Sequence, residues 1–215
     1  FNVLNYFTTI DTAGALCGPD LDQECRGADT AEEFTRQRAK IVAALAAIDA
    51  DVVGLIEIEN HPGDVPVADI VSGLNDVLGA GTYDYVATGA IGIDAIRQAF
   101  IYKPATVSLV GAYAVLDDQS FTNPLGYLQD DGITPEEMSR PALARTFMDK
   151  ATGGVITVVV NHLKSKGSAC DPLAGDDGVI DDDPYQGNCN LTRTLGAQAF
   201  VDWLATDPTG SNDSD

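Results

Sequence analysis

The sequence predicts a layered α/β fold, and three observations carry that prediction. Apolar residues recur at helical spacing over residues 31–48. A continuous apolar run follows at 52–58, and short apolar runs of strand length recur through residues 99–161. Strand, helix and strand joined by short connections are the mark of α/β layering, not of a helical bundle or a β-sandwich.

The elements follow in chain order. Phe1-Asn2-Val3-Leu4-Asn5-Tyr6-Phe7 reads as a strand entered without a lead-in, so its start is expected upstream. Residues 11–29 form a Gly/Asp/Cys loop. Thr30 and Glu33 have capping-box spacing, and Phe34, Ile41, Val42, Leu45 and Ile48 then share one helical face. Asp49-Ala50-Asp51 breaks this helix before the buried strand Val52 to Ile58. A second helix is expected over 67–79, with strands at 99–102, 107–110, 143–148 and 155–161. The last helix is expected over 190–205, capped by Asn190, with Leu195, Ala199, Phe200, Trp203 and Leu204 turned to the core. Acidic loops fill 117–139 and 165–189, there is no internal repeat, and residues 207–215 read as an exposed loop and not as the finish of a domain.

Composition narrows the function classes. With 215 residues the chain has the length of one domain, and no apolar run approaches the length of a membrane span. Any leader is expected to have been removed ahead of Phe1. Twelve Lys+Arg against 33 Asp+Glu give a net charge of -21, which excludes a protein that coats nucleic acid by charge alone. Most carboxylates are expected to form a solvated surface. An acidic chain acts on a polyanion only with bound cations and local basic groups. Four cysteines allow three connectivities. Each has a neighbour within one polar loop, so Cys17 is expected to pair with Cys25 and Cys170 with Cys189. Neither pair has zinc-site spacing, and disulfides imply an oxidising compartment, extracellular or periplasmic.

Three short segments are expected at the C-terminal ends of strands, where ligands of α/β proteins commonly sit: Phe1-Asn2, Leu55-Ile56-Glu57 and Asn161-His162-Leu163-Lys164-Ser165. Glu57 interrupts an apolar strand, and a carboxylate there must be paired, hydrated or metal-bound. The plain alternative has Glu57 and Glu59 sharing a solvent face. Asn2 offers a neutral oxygen or an amide. His162 closes an apolar strand ahead of Lys164 and Lys166, although a lone histidine is more often structural and surface lysines more often solubilise. Five carboxylates, Asp176, Asp177, Asp181, Asp182 and Asp183, form a second candidate cation site, for Ca2+, against a solvated-loop reading.

The order Phe1-Asn2, Leu55-Ile56-Glu57 and Asn161-His162-Leu163-Lys164-Ser165 resembles the endonuclease/exonuclease/phosphatase superfamily. Arg36-Gln37-Arg38-Ala39-Lys40-Ile41, Glu57-Ile58-Glu59-Asn60, Ala99-Phe100-Ile101-Tyr102-Lys103-Pro104 and His162 to Ser168 look closer to its bacterial extracellular nucleases. The resemblance implies that residues 1–215 are the N-terminal portion of one domain, the first half of a four-layer α/β sandwich of two sheets flanked by helices. It implies a catalytic set of Asn2, Glu57 and His162, with Glu57 and Asn2 holding Mg2+ or Mn2+. Arg140, Asn161 and Lys164 are then phosphate contacts, and the substrate is DNA, with RNA a further candidate and no membrane partner. A phosphatase, a phospholipid or sugar phosphodiesterase, or a non-catalytic binding fragment are the alternatives. The superfamily's Gly-Asp-x-Asn and C-terminal Asp-His are absent, and His61, after a different strand and before a proline, replaces neither histidine. The 215 residues alone are therefore expected to be inactive and to leave an apolar sheet face uncovered.

Overall fold

The helical periodicity after Thr30 forms as expected. Thr30 Oγ1 accepts the Glu33 N–H at 3.2 Å, and Glu33 Oε2 accepts the Asp29 N–H at 3.1 Å, so the reciprocal arm of the cap lands one residue earlier than a capping box places it. The computed structural model describes residues 1–129, 132–167, 169–170, 181 and 183–212. Its elements are β1 (Asn2–Tyr6), β2 (Leu16–Cys17), β3 (Gln23–Glu24), α1 (Ala31–Ile48), β4 (Val52–Glu59), α2 (Val65–Leu78), β5 (Asp84–Tyr85), β6 (Ile96–Tyr102), β7 (Val107–Leu116), α3 (Gln119–Thr122), β8 (Arg140–Asp149), β9 (Val155–His162) and α4 (Asn190–Leu204).

Two sheets of order β1-β4-β6-β5 and β7-β8-β9 stand face to face, and β2-β3 is a separate hairpin. β1 runs parallel to β4; the other pairs are antiparallel. Alternation along the strands builds three apolar layers. Ile41 and Leu45 of α1, with Ile70 and Leu74 of α2, cover Leu55 and Ile101 on the outer face of the first sheet. Phe100 and Tyr102 meet Leu143, Phe147 and Val160 between the sheets. Ala199, Phe200 and Trp203 of α4 cover Leu116, Phe121 and Ala142 on the far side. Full burial of a side chain such as Leu55 or Phe100 is worth about 1.5–3 kcal/mol, and these layers hold the four-layer α/β sandwich together.

Several expectations need correction here. Residues 1–215 contribute strands to both sheets. Apolar exposure lies on the second sheet, where Leu109 of β7 and Ile156 of β9, both cross-strand partners of buried Phe147, are exposed. β9 ends the second sheet, and Val155 and Ile156 on it are 37% and 62% exposed. Asn190 does not cap the last helix: Cys189 in left-handed conformation (φ 60°) precedes it, and Asn190 is the first helical residue. Leu195 is exposed.

Both disulfides form with the expected pairing, Cys17–Cys25 and Cys170–Cys189. Of the acidic cluster proposed for Ca2+, Asp176, Asp177 and Asp182 lie outside the described residues. The other two carboxylates are spent on protein donors. Buried Asp181 accepts from Tyr127 Oη (2.9 Å), Thr192 N (3.0 Å) and Thr192 Oγ1 (2.5 Å), tying the second disulfide loop to α4. Asp183 Oδ1 accepts the Tyr185 and Gln186 N–H groups at 2.7 Å each. Cys170 and Cys189 approach Asp181 closely, but their sulfurs are consumed in the disulfide. No helix among the described residues is long and apolar enough to cross a membrane.

Candidate active site

A bulge in β4 makes the site. Leu55 pairs with Ala99 and Ile58 with Arg97, which leaves Ile56 and Glu57 together opposite the single residue Gln98. Glu57 takes φ 64°, a left-handed conformation that costs a non-glycine residue on the order of 1–3 kcal/mol. A second irregularity faces it in β1, where Leu4 (φ 54°) and Asn5 (φ 51°) break the register between Asn2 and Tyr6. Gln37 Nε2 of α1 props this turn by donating to the Leu4 carbonyl at 2.7 Å. Asn2 and Glu57 therefore do not stand at the C-terminal ends of their strands, where the sequence reading puts them. β1 continues to Tyr6 and β4 to Glu59, and the two bulges do what a strand end does elsewhere.

The bulge also separates the two glutamates that strict alternation would put on one face. Glu59 is buried and accepts from the backbone and hydroxyl groups of Thr8 and Thr9, at 2.6–3.2 Å. Glu57 turns to Asn2 and His162. Asn2 Nδ2 donates to Glu57 Oε1 at 2.7 Å, while Asn2 Oδ1 accepts the Leu4 N–H at 2.7 Å. Asn2 Nδ2 thus orients the glutamate, while its oxygen accepts from Leu4. His162 Nε2 stands 3.8 Å from the same Oε1, too far for a hydrogen bond. Glu57 Oε2 has no partner among the described residues.

Arg140 is the cross-strand partner of His162. Its Nε and Nη2 both donate to Asp94 Oδ2, at 2.9 and 2.8 Å. Asp94 Oδ1 in turn holds Arg26 Nη1 at 3.0 Å, linking the hairpin loop to the site. Burial lowers the His162 pKa from its ordinary value and the nearby Arg140 charge lowers it further, against the opposing charges of Glu57 and Asp94. Asn60 sets the loop that carries Asp94: its Nδ2 donates to the Ile91 and Asp94 carbonyls at 2.8 Å each, and its Oδ1 accepts the Ile91 N–H.

The structure brings Asn2, Glu57, His162 and Arg140 together. It does not bring Asn161 to them. Alternation puts Asn161 on the β9 face shared with Val159 and Leu163, which pack toward α4. Asn161 Oδ1 is buried without a partner among the described residues. Lys164 lies two residues past His162, its backbone N–H bonded to Ser139 Oγ at 3.0 Å and its ammonium without a partner among the described residues, on a concave surface shared with Lys166 and Arg193. Sequence reasoning missed Asp94, Glu137 and Gln98. Glu137 borders the Asp94 loop; burial pushes its carboxyl up to about 7, and the Asp94 charge adds to the rise. Gln98 is fully buried opposite the bulge, with neither amide atom partnered among the described residues. Its position in an apolar run was the available signal.

No family model and no curated protein matches the sequence. Among solved structures, one similar chain is the human Nocturnin catalytic domain with bound sulfate anion. The TM-score is 0.37 and the identity 17%, over 61% of this chain and 44% of that one. The chain thus spans less than half of that structure's length. At this TM-score the likeness adds nothing to the geometry of Glu57 and His162.

The donor set fits a hard divalent cation. Mg2+ commonly takes only one or two carboxylates and retains its waters, and Glu57 offers one oriented carboxylate with an uncommitted oxygen. A soft-metal site is not assembled among the described residues, whose cysteines are all disulfide-bonded.

Proposed function

We propose that this chain carries the metal-anchoring side of a secreted, divalent-metal-dependent phosphodiesterase that hydrolyses nucleic acid, DNA foremost. The observation that carries the reading is a carboxylate held in a strained bulge, bonded by Asn2, with a histidine 3.8 Å away and, on the strand paired with the histidine's, an arginine fixed by Asp94. Strain of this kind persists where function requires it. The two disulfides support an oxidising compartment.

Glu57 Oε2 would hold Mg2+ or Mn2+, which would supply Lewis-acid neutralisation of phosphate charge. Asn2 fixes the carboxylate for that task. His162 has an N–H with which to hold a phosphate oxygen, and Arg140, restrained by Asp94, places a permanent positive charge against the charge of the transition state. Water attacks phosphorus as the bond to the leaving oxygen breaks. On this reading the carboxylate that takes the water's proton, and its asparagine, come from beyond Asp215, because the Gly-Asp-x-Asn of the resembling superfamily is absent here.

Mn2+ titration calorimetry tests the anchor: wild type should bind, and Glu57→Gln should lose most of that binding. Undiminished binding by the variant removes Glu57 as ligand. A plasmid-nicking assay tests completeness. Residues 1–215 should show little or no activity beside the full natural protein, and comparable activity would place the catalytic set within them.

A further inference from the structure

In a chain of charge -21, few cations are free of a protein partner to meet the flanking phosphates of a polyanion. Of the twelve Lys and Arg, Arg26 and Arg140 share Asp94, Arg38 pairs with Asp69, Arg97 with Asp64 and Lys103 with Asp49. Arg145 and Lys150 donate to the carbonyls of Gly111 and Pro104, and Arg193 to those of Asn188 and Gln186. Arg36, Lys40, Lys164 and Lys166 are left, with no side-chain partner among the described residues.

These four fall on two flanks of one place. Arg36 and Lys40 stand one turn apart on α1, so they present one face. They border a concavity with Leu4, Asn5 and Arg26. That concavity adjoins the site twice: Asn2 bonds Leu4, and Arg26 reaches Asp94, which grips Arg140. Lys164 and Lys166 border a second concavity immediately after His162. Glu57 lies between the flanks, bonded on one side by Asn2 and faced on the other by His162. Glu33 lines the first concavity but is already bonded to the Asp29 N–H.

We propose that Arg36 and Lys40 on one flank, and Lys164 and Lys166 on the other, form a divided contact surface for the phosphates of a polynucleotide lying across the Glu57–His162 site. The proposal rests on the phosphodiesterase reading and assigns the residues that hold the substrate's flanking phosphates. A small phosphomonoester needs one cationic cluster at the reacting phosphate, whereas two separated pairs suit an extended polyanion with phosphates on both sides. Cations without protein partners also give the full gain of counterion release, since no ion pair must first be broken.

The test is duplex binding by fluorescence anisotropy in EDTA across a salt series, with fold checked by circular dichroism. Arg36→Gln/Lys40→Gln should reduce the slope of log affinity against log salt by about 1.8, and Lys166→Gln by about 0.9. Unchanged slopes, or no duplex binding by wild type at low salt, would overturn the proposal. So would loss of binding to phosphatidylserine vesicles in these variants without duplex binding, which would assign the surface to a membrane. Mn2+ calorimetry on the same proteins separates the two readings. Normal Mn2+ binding with unchanged slopes removes the phosphate surface alone. Absent Mn2+ binding with reduced slopes removes the Glu57 anchor alone.

Discussion

The two sheets approach closely at Gly54 of β4 and Val160 of β9. A Cβ added at Gly54 would stand 2.3 Å from Val160 Cγ2, far inside van der Waals contact. Val160 is buried in the inter-sheet cluster, and its β-branched side chain has little rotamer freedom with which to yield. Gly54→Ala should therefore force β4 and β9 apart and cost about 1–3 kcal/mol, partly offset by about 0.4–1 kcal/mol from the stiffer unfolded chain. Val160→Ala removes two methyl groups and should cost about 2 kcal/mol. The two changes together remove the collision, so the double variant should be more stable than the sum of the singles predicts, by about 1–2 kcal/mol. Urea unfolding of all four proteins, with unchanged m-values, measures the cycle. Additivity within about 0.5 kcal/mol would show that the sheets do not meet here and would undo the argument for how β9 is held against β4. Because Gly54 and Val160 lie three and two residues before Glu57 and His162, Mn2+ affinity should fall in Gly54→Ala and recover in the double variant.

Glu137 has a folded pKa of about 7 against 4.5, so the folded state holds the proton more tightly and stability should fall as pH rises from 4.5 through 7. Discounted for solvent screening, the loss should be about 1–2 kcal/mol, and Glu137→Gln should lack it; equal pH slopes in urea midpoints for the two proteins would contradict the burial of this carboxyl. Cys17→Ser/Cys25→Ser opens a loop of sequence separation 8 and should lower stability by about 2–3 kcal/mol; an unchanged melting temperature would mean the hairpin loop is held by packing alone. Asp181→Asn should cost about 2–4 kcal/mol in a thermal melt, because a buried charged acceptor serves Tyr127 and Thr192, while Asp183→Asn should cost about 1 kcal/mol or less. Similar small losses at both positions would contradict a structural role for Asp181.

Residues 31–48 declared a helix because its cap and apolar stripe are local and depend on nothing beyond one element. The disulfides were legible for a related reason: each partner lay within one loop, and closing a short loop needs no knowledge of the distant chain. Glu57 and His162 could be singled out because a polar residue in an apolar run is conspicuous in one dimension. Their meeting could not. It depends on a bulge in β4 whose existence is defined only by pairing with β6, and on β9 crossing β4 where Gly54 leaves room for Val160. The bulge also decided that Glu59 is buried on Thr8 and Thr9 while Glu57 faces Asn2, against the shared face that alternation implied. Asp94 carried no pattern, since an aspartate in a loop looks like any other until Arg140 and Arg26 arrive from elsewhere in the chain. Periodicity reports which side of its own backbone a segment buries. Strand register, and the faces that meet across it, come from pairing energies between segments distant in sequence, and only the tertiary structure decides those.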